Sequence, residues 1–261
     1  MKSTAKLNAE KLNEYFNEID RDKINSIAIV TNYSHAFNLV PMSVAENESE
    51  NNVIATVDLY NGNGTYDILI ATTADMLELP DDCRGLFSNM KELTVFDIRN
   101  ANIDATKVMD ISHMFENDKN LQFISLEGCE FTNVKDTSYM FGKCSSLEQV
   151  CIGSGFENID NARSMFEYCS NLGNLDLSPV FEHTEPGRTD YICYKCSSLE
   201  EVNMGNISID TVGNGMFCPF AGANELKQVI CEEGAFEPER AGNGEIIGFA
   251  PTGNERGDFE I

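Results

Sequence analysis

"SYMFGKCSSLEQV" occupies residues 138–150 and "DYICYKCSSLEEV" occupies residues 190–202. A chain that writes nearly one line twice contains an internal repeat, and a repeat outranks local propensity in deciding the fold. A leucine followed by apolar residues at +3 and +5 recurs as Leu93/Phe96/Ile98, Leu121/Ile124/Leu126, Leu147/Val150/Ile152, Leu172/Leu175/Leu177, Leu199/Val202/Met204 and Leu226/Val229/Cys231. These six anchors lie 25 to 28 residues apart. Seven residues before three of the leucines stand Met114-Phe115, Met140-Phe141 and Met165-Phe166. Leu86-Phe87 and Ile192-Cys193 fill the same slot, and Met216-Phe217 lies three residues further back.

The +3 and +5 residues alternate with polar ones, so they point to one side of a strand. Asp110, Asp136 and Asn161 each lie four residues before the Met. Asp and Asn accept the free N–H groups of a first helical turn, so each is expected to cap a short helix. The expected fold is therefore α/β: a leucine-rich-repeat right-handed solenoid. It has one short parallel strand and one short helix per ~26-residue coil, with an N-terminal helix/β-hairpin cap.

Residues 81–235 carry the six coils. Residues 1–80 form the expected cap. In "LNAEKLNEYFNEI" (7–19), Leu12, Tyr15, Phe16 and Ile19 make one helical stripe. "INSIAIV", "VIATVDLY" and "TYDILIAT" read as strands, and "NGNG" between the last two is a hairpin signal. "AENESENN" (45–52) reads as a polar loop, and residues 236–261 as a C-terminal cap or tail. Pro179 and Pro186 interrupt the pattern within residues 178–191, and a three-residue insertion falls in 217–225.

"NIDATKVMDISHMFENDKNL" (102–121) and "FTNVKDTSYMFGKCSSLEQV" (131–150) resemble the repeat of BspA-like leucine-rich-repeat surface proteins, which also occurs in Mycoplasma lipoproteins. The resemblance covers roughly residues 81–235. It implies a bacterial module at the cell surface, or secreted, that attaches to a protein or glycan ligand such as a host extracellular protein. The tryptophan common in such repeats is missing, because the chain has none.

The chain holds 43 Asp plus Glu against 18 Lys plus Arg, a net charge of −25. That balance argues against nucleic acid, which demands a basic footprint. No apolar run reaches the ~18–20 residues of a membrane span, so no membrane insertion is expected. The first residues, "MKSTAKLNAEKLNEYF", lack the apolar region of a secretory signal, which makes the cytoplasm the alternative location. Nine cysteines, an odd count, suit small buried apolar residues better than a disulfide framework.

Cys193-x-x-Cys196 raises thiol redox chemistry or half a zinc site. The register points elsewhere. Cys196 falls in the slot of Met90, Cys144 and Cys169, and Cys193 in that of Phe87, Phe115, Phe141 and Phe166. A buried thiol column is expected, with no metal and no cofactor. His35, His113 and His183 supply no evident partner for a nucleophile. "DRDKIN" (20–25) lacks the glycine and glutamate of a calcium loop, and "NGNG" lacks the Lys-Ser/Thr of a phosphate cradle. Asn-x-Ser/Thr sequons at Asn32, Asn47, Asn63 and Asn206 carry no weight without an export route.

What remains is the open strand face. One row reads Val95, Phe123, Gln149, Asn174, Glu201, Gln228; the next reads Asp97, Ser125, Cys151, Asp176, Asn203, Ile230. The expected function is non-catalytic binding through these rows, with an apolar end at Val95 and Phe123. The alternatives are an intracellular scaffold for protein–protein interaction and, more remotely, a thiol-dependent enzyme using Cys193 and Cys196.

Overall fold

The structure is a computed structural model that describes residues 3–34, 42–46, 53–182, 188–213 and 219–252. Strand β1 (Thr4–Lys6) leads into helix α1 (Ala9–Glu18). Asn8 caps α1 by accepting the Lys11 N–H at 2.9 Å, and the helix buries Leu12, Tyr15 and Phe16. Then follow β2 (Ile24–Val30), β3 (Met42–Ser43), β4 (Val53–Tyr60), β5 (Tyr66–Thr72) and β6 (Met76–Glu78). β4 and β5 form the antiparallel hairpin that Asn-Gly signals, closed where Asn61 N donates to Thr65 O at 2.9 Å.

The repeats contribute β7 (Val95–Asn100), β8 (Ile103–Asp104), β9 (Phe123–Ser125), β10 (Gln149–Cys151), β11 (Asn174–Asp176), α2 (Ser178–Phe181), β12 (Glu201–Asn203), α3 (Ile209–Gly213) and β13 (Gln228–Cys231). β14 (Gly234–Arg240) and β15 (Ile246–Pro251) end the described chain as an antiparallel pair on β13. Three sheets result, ordered β1-β6-β8, β10-β9-β7-β2-β5-β4-β3 and β11-β12-β13-β14-β15. β2 lies parallel to both β5 and β7, so the N-terminal sheet runs directly into the repeats.

The leucine, +3 and +5 side chains of all six anchors are buried. Their strands pair in parallel in two runs, β7-β9-β10 and β11-β12-β13, which belong to different sheets. Behind them Phe87, Phe115, Phe141 and Phe166 stack at centroid spacings of 5.6, 5.6 and 5.2 Å. Beside this stack, the Sγ atoms of Cys144, Cys169 and Cys196 donate to the carbonyls of Phe115, Phe141 and Phe166, each at 3.0 Å.

The expected leucine-rich-repeat solenoid with one helix per coil is overturned. Among the described residues the regular structure is mostly mixed sheet, with three α-helices and 9 % helical content. The reason lies in the Met-Phe segments, which are turns. Each contains two residues of positive φ four positions apart: Gly85/Asn89, His113/Asn117, Tyr139/Lys143, Ser164/Tyr168 and Tyr191/Lys195. A left-handed residue every fourth position ends any right-handed helix within one turn. The N–H groups that a helix would use internally point sideways instead. Phe87 N donates to Met114 O at 3.0 Å, Phe115 N to Met140 O at 2.9 Å, and Phe141 N to Met165 O at 2.9 Å. The residues expected to cap helices open turns: Asp110, Asp136 and Asn161 accept the N–H two residues on, from Ser112, Ser138 and Arg163.

The sixth repeat also differs from expectation. Phe220, fully within the core, stands six residues before Leu226, where Phe87 stands relative to Leu93. Cys193 N donates to Pro219 O at 2.9 Å, which fixes that alignment without the displaced slot. Met216-Phe217, like Pro186 and most of 45–52, lies outside the described residues.

Candidate functional site

The strand face is built by pairing in register. Val95 sits opposite Phe123, and Phe123 opposite Gln149; Asn174 sits opposite Glu201, and Glu201 opposite Gln228. This first row faces solvent over much of its length. Val95 is 48 % exposed and Phe123 46 %, and Gln149 and Asn174 are also exposed. Glu201 is half-buried. Two large apolar side chains paired at this exposure form a small hydrophobic patch on an otherwise acidic chain.

The second row behaves differently, because its polar atoms are used within the fold. Ser125 Oγ accepts the Glu127 N–H at 3.3 Å, Asp176 Oδ1 the Ser178 N–H at 2.9 Å, and Asn203 Oδ1 the Gly205 N–H at 3.0 Å. Asp97 Oδ1 accepts both the backbone N–H and Nε–H of Arg99 at 2.9 Å. The Arg99 hydrogen bonds hold the Asp97 carboxyl below its ordinary range. These four side chains turn the chain out of its strand. Cys151 is half-buried and Ile230 is buried, so the row closes off at its far end.

Next to the exposed row lies an open groove of about 660 Å³, lined by Gln122, Phe123, Glu148, Gln149, Gly173, Asn174 and Glu200. Its lining positions are the first and second residues after the spine leucines. Phe123 supplies an apolar wall, and Glu148 and Glu200 supply negative charge. Lys227 Nζ bridges to Glu200 Oε2 at 2.6 Å at one end.

The thiols that raised redox chemistry lie in the core. Cys193 and Cys196 are both fully buried, and burial pushes the Cys193 thiol well above its ordinary value. A thiolate is the reactive form, so this setting suppresses nucleophilicity. His113 Nδ1 lies 2.7 Å from Glu116 Oε2 and its ring stacks on Tyr139 at 5.1 Å. His35 and His183 lie outside the described residues.

Asp118 is a polar residue that the repeat register could have revealed and that the reading of the slots passed over. It occupies the slot of Met90, Cys144, Cys169 and Cys196, three residues before its leucine, and is fully buried. No described helix is long and apolar enough to cross a membrane.

No curated protein and no solved structure matches the chain. Residues 81–207, which hold the first five anchors, match the model of a family described as Mycoplasma protein of unknown function, DUF285.

Proposed function

We propose that this protein is a non-catalytic binding module that takes a polypeptide partner on its strand face. The observation that supports this reading is the Val95–Phe123 pair, exposed and in register, opening onto a groove edged by Glu148 and Glu200. A complementary segment presents one large apolar side chain to Phe123 and Lys or Arg to Glu148, while Glu200, already paired with Lys227, marks the end of the groove. The net charge of −25 favours such a basic partner at long range. Likeness of the repeat to BspA-like surface proteins supports attachment at the cell surface to a host extracellular protein. Cys83, Cys129, Cys144, Cys151, Cys169, Cys193 and Cys196, all thiols outside any disulfide, favour a second reading, an intracellular scaffold in a reducing compartment.

Selection of displayed peptides on the immobilised protein tests the strand-face reading. Enriched peptides should combine basic residues with a bulky apolar one, and bind Phe123→Asp and Glu148→Lys/Glu200→Lys at least tenfold more weakly. Peptides that bind these variants as tightly as the unaltered protein would refute it.

A further inference from the structure

We infer that a second groove, on the turn side of the repeats, binds a short carboxylate-bearing oligosaccharide. The groove is open, about 490 Å³, and lined by Asn117, Lys119, Lys143, Ser145, Tyr168 and Ser170. These are the residues four and two positions before three successive spine leucines. The repeat therefore delivers them as two aligned rows. Backbone hydrogen bonds join the turns of successive repeats, Asn117 N to Gly142 O at 2.8 Å and Lys143 N to Glu167 O at 2.6 Å, and steps of ~4.8 Å between such hydrogen-bonded chains give a trough of ~10 Å over three repeats, the length of two or three sugar rings.

The lining offers what a hydroxyl-rich ligand needs. Ser170 Oγ donates to Ser145 O at 3.1 Å and Ser145 Oγ to Lys119 O at 3.5 Å. A hydroxyl that donates inward keeps its lone pairs for an incoming O–H. Asn117 Nδ2 donates to Asn89 Oδ1 at 3.0 Å, which leaves the Asn117 carbonyl oxygen as a further acceptor. Tyr168, 39 % exposed, contributes an aromatic surface for the apolar C–H side of a ring. Lys195 Nζ sits 4.9 Å from the Tyr168 centroid, hydrogen-bonds Tyr168 Oη at 3.2 Å, and lies 5.2 Å from the Tyr194 centroid. These contacts hold Tyr168 in place.

Charge selects the class of sugar. Lys143 is taken by Glu116 at 2.6 Å, whereas Lys195, held against two neutral tyrosine rings, keeps its charge beside the groove. Among the described residues, Lys119 joins no ion pair and no hydrogen bond through its ammonium. A ligand carboxylate neutralises it. An extended polyanion such as nucleic acid would meet the repulsion of the whole chain, whereas a two- or three-ring acid spans only the groove.

The experiment is a calorimetric titration of the full chain with trigalacturonate, with maltotriose as the neutral control and triglutamate as an acidic peptide of equal charge. Saturable binding of trigalacturonate is expected, at least tenfold tighter than maltotriose and triglutamate. Tyr168→Ala should weaken it at least tenfold, Lys119→Gln should reduce the preference over maltotriose at least threefold, and Phe123→Asp should change nothing. Absence of saturation at about 10 mM, equal binding of triglutamate, or indifference to both Tyr168→Ala and Lys119→Gln would overturn the inference. Phe123→Asp reports on the other groove, so failure here leaves the strand-face reading separately answerable.

Discussion

Asp118 Oδ1 accepts the backbone N–H of Met90 at 2.7 Å, which ties the second repeat to the first from inside the core. Its Oδ2 is buried without a hydrogen-bond partner among the described residues. Burial raises the carboxyl well above its ordinary value; the Met90 N–H and the charge of Arg21 oppose that rise without cancelling it. Arg21 is itself partly buried over the Phe16 ring, with Nη1 bonded to Ser88 O at 3.0 Å.

A raised folded pKa means that the folded state binds the extra proton, so this group costs stability as pH climbs above 3.8 towards the folded value. Later repeats show the remedy. Cys144 at the same slot is neutral and donates to Phe115 O at 3.0 Å. Asp118→Cys should therefore gain about 1–3 kcal/mol at pH 7 in denaturant titration, because it removes an unsatisfied buried oxygen. The gain should shrink towards pH 3.5, where both side chains are neutral. A loss at pH 7 would mean that Arg21 needs the carboxylate, and Arg21→Met/Asp118→Cys would then recover it.

Ser164 offers a second test, at a turn. Its φ is +54°, its residue is fully buried, and its Oγ has no hydrogen-bond partner among the described residues. In the first repeat the same slot is Gly85, at φ +62°. Ser164→Gly relieves a left-handed penalty of ~1–2 kcal/mol and an orphaned hydroxyl, against a chain-entropy cost of ~0.5–1 kcal/mol. A net gain of about 1 kcal/mol is expected, and Gly85→Ala should lose a similar amount. Equal stability of all three proteins by thermal unfolding would show that the turn carries no strain.

Phe141 lies between Phe115 and Phe166 in the core stack, at 5.6 and 5.2 Å. Phe141→Ala should cost about 3–5 kcal/mol, the range for a large cavity in a packed core. Phe123→Asp, on the strand face, should cost less than about 0.5 kcal/mol. Urea midpoints of the two variants check the inward and outward assignments together. Comparable losses would mean that the strand register is wrong.

The parts legible in the sequence are those set by one-sided burial. The Leu, +3 and +5 spine, the Phe stack and the Cys144–Cys169–Cys196 column all follow from which side chains leave water, and each was readable from spacing. Backbone hand was not readable. His113, Tyr139 and Tyr191 adopt positive φ without the glycine that signals it, so a turn resembled a capped helix. The strand rows were readable as rows. The inward tasks of Asp97, Ser125, Asp176 and Asn203 were not, because each depends on a turn two residues away. The turn-side groove was hidden for a similar reason. Its residues gather only when three repeats stack.

Cysteine reactivity separates the core thiols from the one on the face. Cys144, Cys169, Cys193 and Cys196 are fully buried, whereas Cys151 is half-buried in the second row of the strand face. Burial, with a smaller contribution from the Glu127 charge, raises the Cys151 thiol, so its reaction with iodoacetamide should accelerate with pH. Even so, access decides the order, because a core thiol reacts only when its repeat opens. Peptide mapping after brief native alkylation should find Cys151 modified first among the eight described cysteines. Cys193 and Cys196 should stay protected until denaturant unfolds the chain. Modification of Cys193 or Cys196 as fast as Cys151 would place a solvent path beside the Phe166 carbonyl, and would reopen thiol chemistry at that pair.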